Sequence, residues 1–76
     1  MKNNYSEKDK KLLKKLGDNL RKFRIQSDLS QEELAFKADL DRTYISGIER
    51  GERNISILSL LKVTSTIKID ISNLIN

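Results

Sequence analysis

Four residues near the middle of the chain, Arg42, Thr43, Ser46 and Gly47, offer the chemistry most open to reading. At helical spacing they fall on one side of a short segment whose other side holds Ile45 and Ile48. A helix of so few turns is marginal alone and buries little. An outward side of Arg, Thr and Ser therefore asks for a ligand rather than for packing. A guanidinium presents a rigid fork of donors, and a hydroxyl both donates and accepts. That combination suits the edges of bases and the oxygens of phosphates, so the expected ligand is DNA.

The flanking residues supply the elements that would hold this face in place. Ser30 and Glu33 have capping-box spacing and open a helix over Gln31–Ala38, with Leu34, Ala35 and Ala38 as its apolar stripe. Asp39, Leu40 and Asp41 form a turn in which Asp39 can take the left-handed conformation that Asp tolerates better than most residues. Asp41 then caps a helix over about residues 42–50, and Gly51 suits the C′ position. Glu52, Arg53 and Asn54 read as loop. Upstream, Ser6 and Asp9 open a first helix near Glu7, with Leu13, Leu16, Leu20 and Phe23 at helical spacing and Leu12 alongside. It ends around residues 26–28. Gly17 inside this helix reads as a weak point of about 1 kcal/mol relative to alanine. Downstream, Ser56 caps a fourth helix through about Thr66, with Ile57, Leu60, Leu61, Thr64 and Ile67 facing inward. Asp70 caps a short last helix, Ile71–Ile75. The expectation is an all-α protein of five helices, with residues 1–6 a flexible arm and residues 7–76 one domain.

Composition removes several function classes. There is no cysteine and no histidine, so disulfides, thiolate metal sites and the commonest general base and zinc ligand are absent. No metal and no cofactor are expected. The apolar runs are far shorter than the roughly 20 residues of a membrane span, and the charged N-terminus lacks a signal-peptide apolar region. The expectation is a soluble cytoplasmic protein without a membrane partner. The net charge is +4, but it is unevenly spread. Residues 1–28 carry nine Lys/Arg against four Asp/Glu, whereas residues 29–54 carry four against six. Recognition by the central segment must therefore rest on a few placed arginines. The basic N-terminal run reads as a solvated helix face, or alternatively as an arm that touches phosphate.

Residues 29–54, LSQEELAFKADLDRTYISGIERGERN, resemble the lambda-repressor/Cro-type helix-turn-helix, the Xre family. Within it, LDRTYISGIERGERN (residues 40–54) is most similar to the controller proteins of bacterial restriction–modification systems. The resemblance covers about residues 13–76 and implies a compact lambda-repressor-like domain with a central helix-turn-helix. The family often has Gly where Asp39 and Lys68 stand and Pro where Ile55 stands; all three are turn positions.

The resemblance implies that the third helix lies in the major groove with its first residues at base edges. Arg42 would then pair with guanine O6 and N7, Thr43 would meet a base edge or a thymine methyl, and Ser46 would reach base or phosphate. Gly47 would let the helix sit deep. Gln31 matches a phosphate-binding position at a helix N-terminus. Tyr44, Arg50, Arg53 and Asn54 would grip backbone, although Tyr44 could instead pack its ring on the second helix and Arg53 could be ordinary loop charge. Arg24 is expected to face Glu49 in a salt bridge that clamps the third helix to the first.

Proteins of this class usually dimerise on two half-sites. Leu58, Ile67, Ile69, Ile71, Leu74 and Ile75 exceed what one small core needs and are expected at a two-fold contact. The implied function is a dimeric transcription regulator of a palindromic operator, with no enzymatic chemistry. RNA polymerase would be a further partner if the protein activates, through Glu32, Glu33 or Asp39. The alternatives are a phage or chromosomal repressor of the same fold, or an antitoxin-like module that neutralises a partner protein.

Overall fold

The computed structural model describes residues 5–76; residues 1–4 of the expected arm lie outside the described residues. Five helices follow in order: α1 Glu7–Gln26, α2 Gln31–Ala38, α3 Arg42–Glu49, α4 Ile57–Ile67 and α5 Ile71–Ile75. No strand occurs among the described residues. The capping residues set these starts. Ser6 accepts from the Asp9 N–H at 3.1 Å while the Asp9 carboxylate accepts from the Ser6 N–H. Ser30 and Glu33 repeat the exchange at 3.0 and 2.8 Å. Asp41 accepts from Thr43, and Ser56 from Ser59. Each pairing satisfies donors that the first helical turn leaves without an intrahelical partner.

The joints between helices use left-handed residues. Asp28, Asp39 and Lys68 each have φ 57° and Gly51 has φ 75°. At Asp39 the chain reverses tightly enough for the Leu40 N–H to reach the Ala35 carbonyl at 2.8 Å. This turn sets α3 across α2. The helices then pack α1 on α3 and α5, and α2 on α3 and α4. Leu20, Leu34, Ile45, Ile48, Val63 and Leu74 are fully enclosed at the centre. Every helix contributes to that centre, so α2 and α3 are held by the rest of the chain rather than by each other alone.

Three expectations about packing are corrected. Gly17 is not a weak point. It is buried, and a Cβ there would stand 2.2 Å from the Ile48 carbonyl oxygen and 2.8 Å from that of Glu49. The missing side chain lets α1 come into backbone contact with the end of α3. In α4, Ile57 and Leu61 do not face inward; they are 73% and 48% exposed. Val63 is fully buried and, with Leu60, Thr64 and Ile67, turns the inward stripe away from them. Ile67 and Leu74 are not available to a partner, being 7% and 0% exposed. The α5 helix folds back onto α1, where Asn19 donates to the carbonyls of Leu74 at 2.8 Å and Asn76 at 3.2 Å and so pins Leu74 into the core.

Replacing Gly17 with Ala should lower the urea midpoint although alanine is the better helix former. The clash of forced packing, about 1–3 kcal/mol or more, outweighs a propensity gain of about 1 kcal/mol. An unchanged or raised midpoint would show that α1 can move off α3 at no cost.

Candidate nucleic-acid interface

The inner side of α3 is fixed by a buried ion pair. Arg24, near the end of α1, donates through Nε to Glu49 Oε2 at 2.6 Å and through an Nη to Oε1 at 3.0 Å. The two side chains are only 10% and 3% exposed. A guanidinium against a carboxylate in this two-bond geometry fixes angle as well as distance. The remaining Arg24 donor reaches the Leu29 carbonyl at 2.7 Å, and Gln31 donates its side-chain N–H to Glu49 Oε1 at 3.0 Å. Both charges are thus fully partnered, and among the described residues no buried side-chain polar atom lacks a hydrogen bond. One network joins the end of α1, the start of α2 and the end of α3.

The outer side of α3 is open. Arg42 and Thr43 at its start are exposed, Ser46 is half-buried and Arg50 is exposed. Arg50 donates to the Ser46 hydroxyl and, at 3.1 Å through Nε, to Glu52. Gly47 lies on this side too, but it is covered rather than open to solvent. It is buried, and a Cβ there would stand 2.6 Å from Cγ of Arg53. The bare Gly47 surface is where the Arg53 stem lies across the helix. The Arg53 guanidinium carbon stands 5.8 Å from the centre of the Tyr44 ring, within cation–π range.

Tyr44 is half-buried against the core, and its hydroxyl accepts from the Ser56 N–H at 3.1 Å. Burial by itself would raise this phenol. Hydrogen bonds involving Ser59 and Ser56, with the Arg53 charge, outweigh it and hold the phenol below its ordinary value. Tyr44 therefore links α3 to the start of α4. Asn54 is exposed in the same loop and, with Tyr5, Asp9, Leu12 and Leu13, borders a groove of about 270 Å³.

The helix-turn-helix family model matches residues 20–74. The chain belongs to the Xre-type helix-turn-helix family. It is 46% identical over 61 residues to control protein C.MunI of a Mycoplasma species, covering 79% of this chain and 82% of the relative. The solved restriction–modification controller protein C.AhdI from Aeromonas hydrophila superposes with a TM-score of 0.79 at 45% identity, over 82% of this chain and 94% of that one. The controller protein C.Esp1396I, solved as a tetramer in complex with its natural 35 base-pair operator, superposes at 0.72 with 44% identity, over 78% of each chain. The chain is a DNA-binding transcription regulator of this family.

The matched helix-turn-helix region includes α2 and α3. Arg42, Thr43, Ser46 and Arg50 stand on the outer side of α3, with Arg53 and Asn54 in the loop that follows. Gln31 stands apart from these, because its amide is spent at least in part on Glu49. The regulator also carries a residue that the sequence reading passed over. Glu52 pairs with Arg50, and its only sequence signal is an acid two places past an arginine with a glycine between. Among the described residues no cluster of three or more acidic side chains could hold a metal ion, and no helix is long and apolar enough to cross a membrane.

Glu49→Ala leaves the Arg24 guanidinium buried without its carboxylate, a defect that costs about 3–5 kcal/mol. Its thermal midpoint should fall by many degrees and its DNA binding should fall with it. Melting and binding both at the wild-type level would rule out the clamp.

Proposed function

We propose that this regulator is the dimeric controller of a restriction–modification operon and binds a palindromic operator, acting in the cytoplasm without enzymatic chemistry. The observation that carries this reading is the two-sided character of α3. Its inner side is locked by Ile45, Ile48 and the Glu49 ion pair, and its first outward residues, Arg42 and Thr43, are free of intrachain side-chain bonds. A helix anchored from behind and exposed in front can enter a groove without reorganising. The likeness to C.Esp1396I, solved on its natural operator, supports the same docking.

Arg42 and Thr43 read base edges and Ser46 assists. Gly47 contributes by admitting the Arg53 stem. Arg50, Arg53 and Asn54 hold the backbone, joined by Gln31 through the amide hydrogen it does not give to Glu49 and by Tyr44 beside Arg53, and so set salt dependence rather than sequence preference. The DNA-binding and dimerisation unit spans residues 7–76. Residues 1–6 precede it as an arm, with Ser6 serving at its end as the cap of α1.

A second copy covers the apolar face of α4 and α5. Leu58 is 63% exposed, and Ile57 and Leu61 on α4 and Ile75 on α5 are exposed as well. Ile69, between the two helices, and Ile71, at the start of α5, are half-buried. Four large apolar side chains exposed on two consecutive short helices are the kind of surface that self-association buries. On the α2 side, the exposed acids Glu32, Glu33 and Asp39 offer a surface to RNA polymerase.

On duplexes drawn from the region upstream of its own gene, Arg42→Ala should relax preference at one base position, a loss of about 1–3 kcal/mol of discrimination. Gln31→Ala should weaken binding to all sequences alike. Equal weakening of every sequence by both variants would show that readers and clamps are wrongly divided. In sedimentation at micromolar concentration the wild type should run as a dimer and Leu58→Asp as a folded monomer. A wild type that stays monomeric would refute the dimer.

A further inference from the structure

We infer that Glu52 restrains Arg50 and thereby holds down this protein's affinity for the DNA backbone, on operator and random sequence alike. The inference rests on the DNA-binding reading above and adds to it a residue that touches no DNA.

The geometry follows from how α3 ends. Gly51 takes the left-handed conformation, its N–H bonds to the Ile48 carbonyl at 3.0 Å, and the Glu52 N–H bonds to the Gly47 carbonyl at 2.9 Å. These two bonds form a Schellman close, which fixes the backbone of Glu52 relative to the last turn of the helix. Arg50 is the C-cap residue of the same helix. Its side chain therefore has two intrachain partners within reach, the Ser46 hydroxyl one turn back and the Glu52 carboxylate just past the glycine, and it engages both.

Arg50 and Glu52 are each more than half exposed, 53% and 63%. An exposed pair of this kind adds little to folding stability. Its effect falls instead on what Arg50 can do. Phosphate is an anion competing for a guanidinium that already holds a carboxylate, and the displaced carboxylate then stands beside the phosphate as a like charge. Every duplex meets this opposition. The cost is one free energy added to any complex in which Arg50 takes a phosphate, whatever the base sequence. It therefore lowers operator and random-DNA affinities by the same factor.

Glu52→Gln keeps the shape and removes the charge. It should bind a random-sequence duplex about two- to fivefold more tightly, the range expected from an exposed charge pair. Operator binding should gain by a similar factor, so that the ratio of the two affinities stays unchanged. The salt slope on random DNA should steepen by up to about one counterion, with the thermal midpoint unchanged. In an Arg50→Ala background the same substitution should give little or no gain. Random-DNA affinity that stays equal or drops in Glu52→Gln would overturn the inference, because Glu52 would then be idle or a support that Arg50 needs. An undiminished gain without Arg50 would overturn it too, since Glu52 would be repelling DNA directly. A wild type with no preference among duplexes would instead refute the DNA-binding reading itself.

Discussion

The orientation of α3 depends on one buried contact between the first and third helices. The Arg24 guanidinium and the Glu49 carboxylate meet in a two-bond pair, and a few residues upstream Gly17 lets the α1 backbone press against the carbonyls of Ile48 and Glu49. Neither feature works without the other. The close approach brings the charges into range, and the charge pair fixes the rotation that the close approach leaves open. The pair draws in Gln31 and the Leu29 carbonyl, so the start of α2 is tied to the same point. A pair so buried contributes less to net stability than its short distances suggest, because both ions are stripped of water. Its effect is to make other angles of α3 expensive.

What lies outward from that contact is a graded surface. Arg42 and Thr43, at the start of α3, have no side-chain partner to give up. Arg50, toward its end, is bonded to both Ser46 and Glu52. Arg53 is steered by Gly47 and Tyr44. The surface thus runs from groups ready to bind to groups that must first let go of something. The segment carries more acids than bases, so the distribution of partners among its arginines matters more than their number.

Much of this was legible in the residues. The capping pairs Ser6–Asp9 and Ser30–Glu33, the left-handed turn at Asp39 and the order of five helices follow from local chemistry, which a linear sequence carries intact. The Arg24–Glu49 contact was legible only through family resemblance, since nothing local relates residues 25 positions apart. The rest depended on long-range packing. Gly17 has the same propensity wherever it stands, and only the position of α3 makes it a crossing point. Val63 stands out no more in the sequence than Leu61 or Ile57, because six apolar residues in one short helix offer more than one stripe, and α2 decides among them. Ile67 and Leu74 looked surplus until α5 folded back on α1. Gly47 looked open because the Arg53 stem that covers it comes from a loop.

The left-handed joints carry a further consequence. Asp28, Asp39 and Lys68 hold a conformation that costs non-glycine residues on the order of 1 kcal/mol each or more. A domain of this length has a total stability of only about 4–11 kcal/mol. Glycine at these joints would be easier on the backbone, so the joints draw on a reserve that is small for any domain of this length. With so thin a reserve, whatever binds the native state also shifts the balance between folded and unfolded chains. Copies seated on DNA or on one another would be spared the unfolding that exposes free copies to proteolysis. Occupancy and lifetime would then rise and fall together.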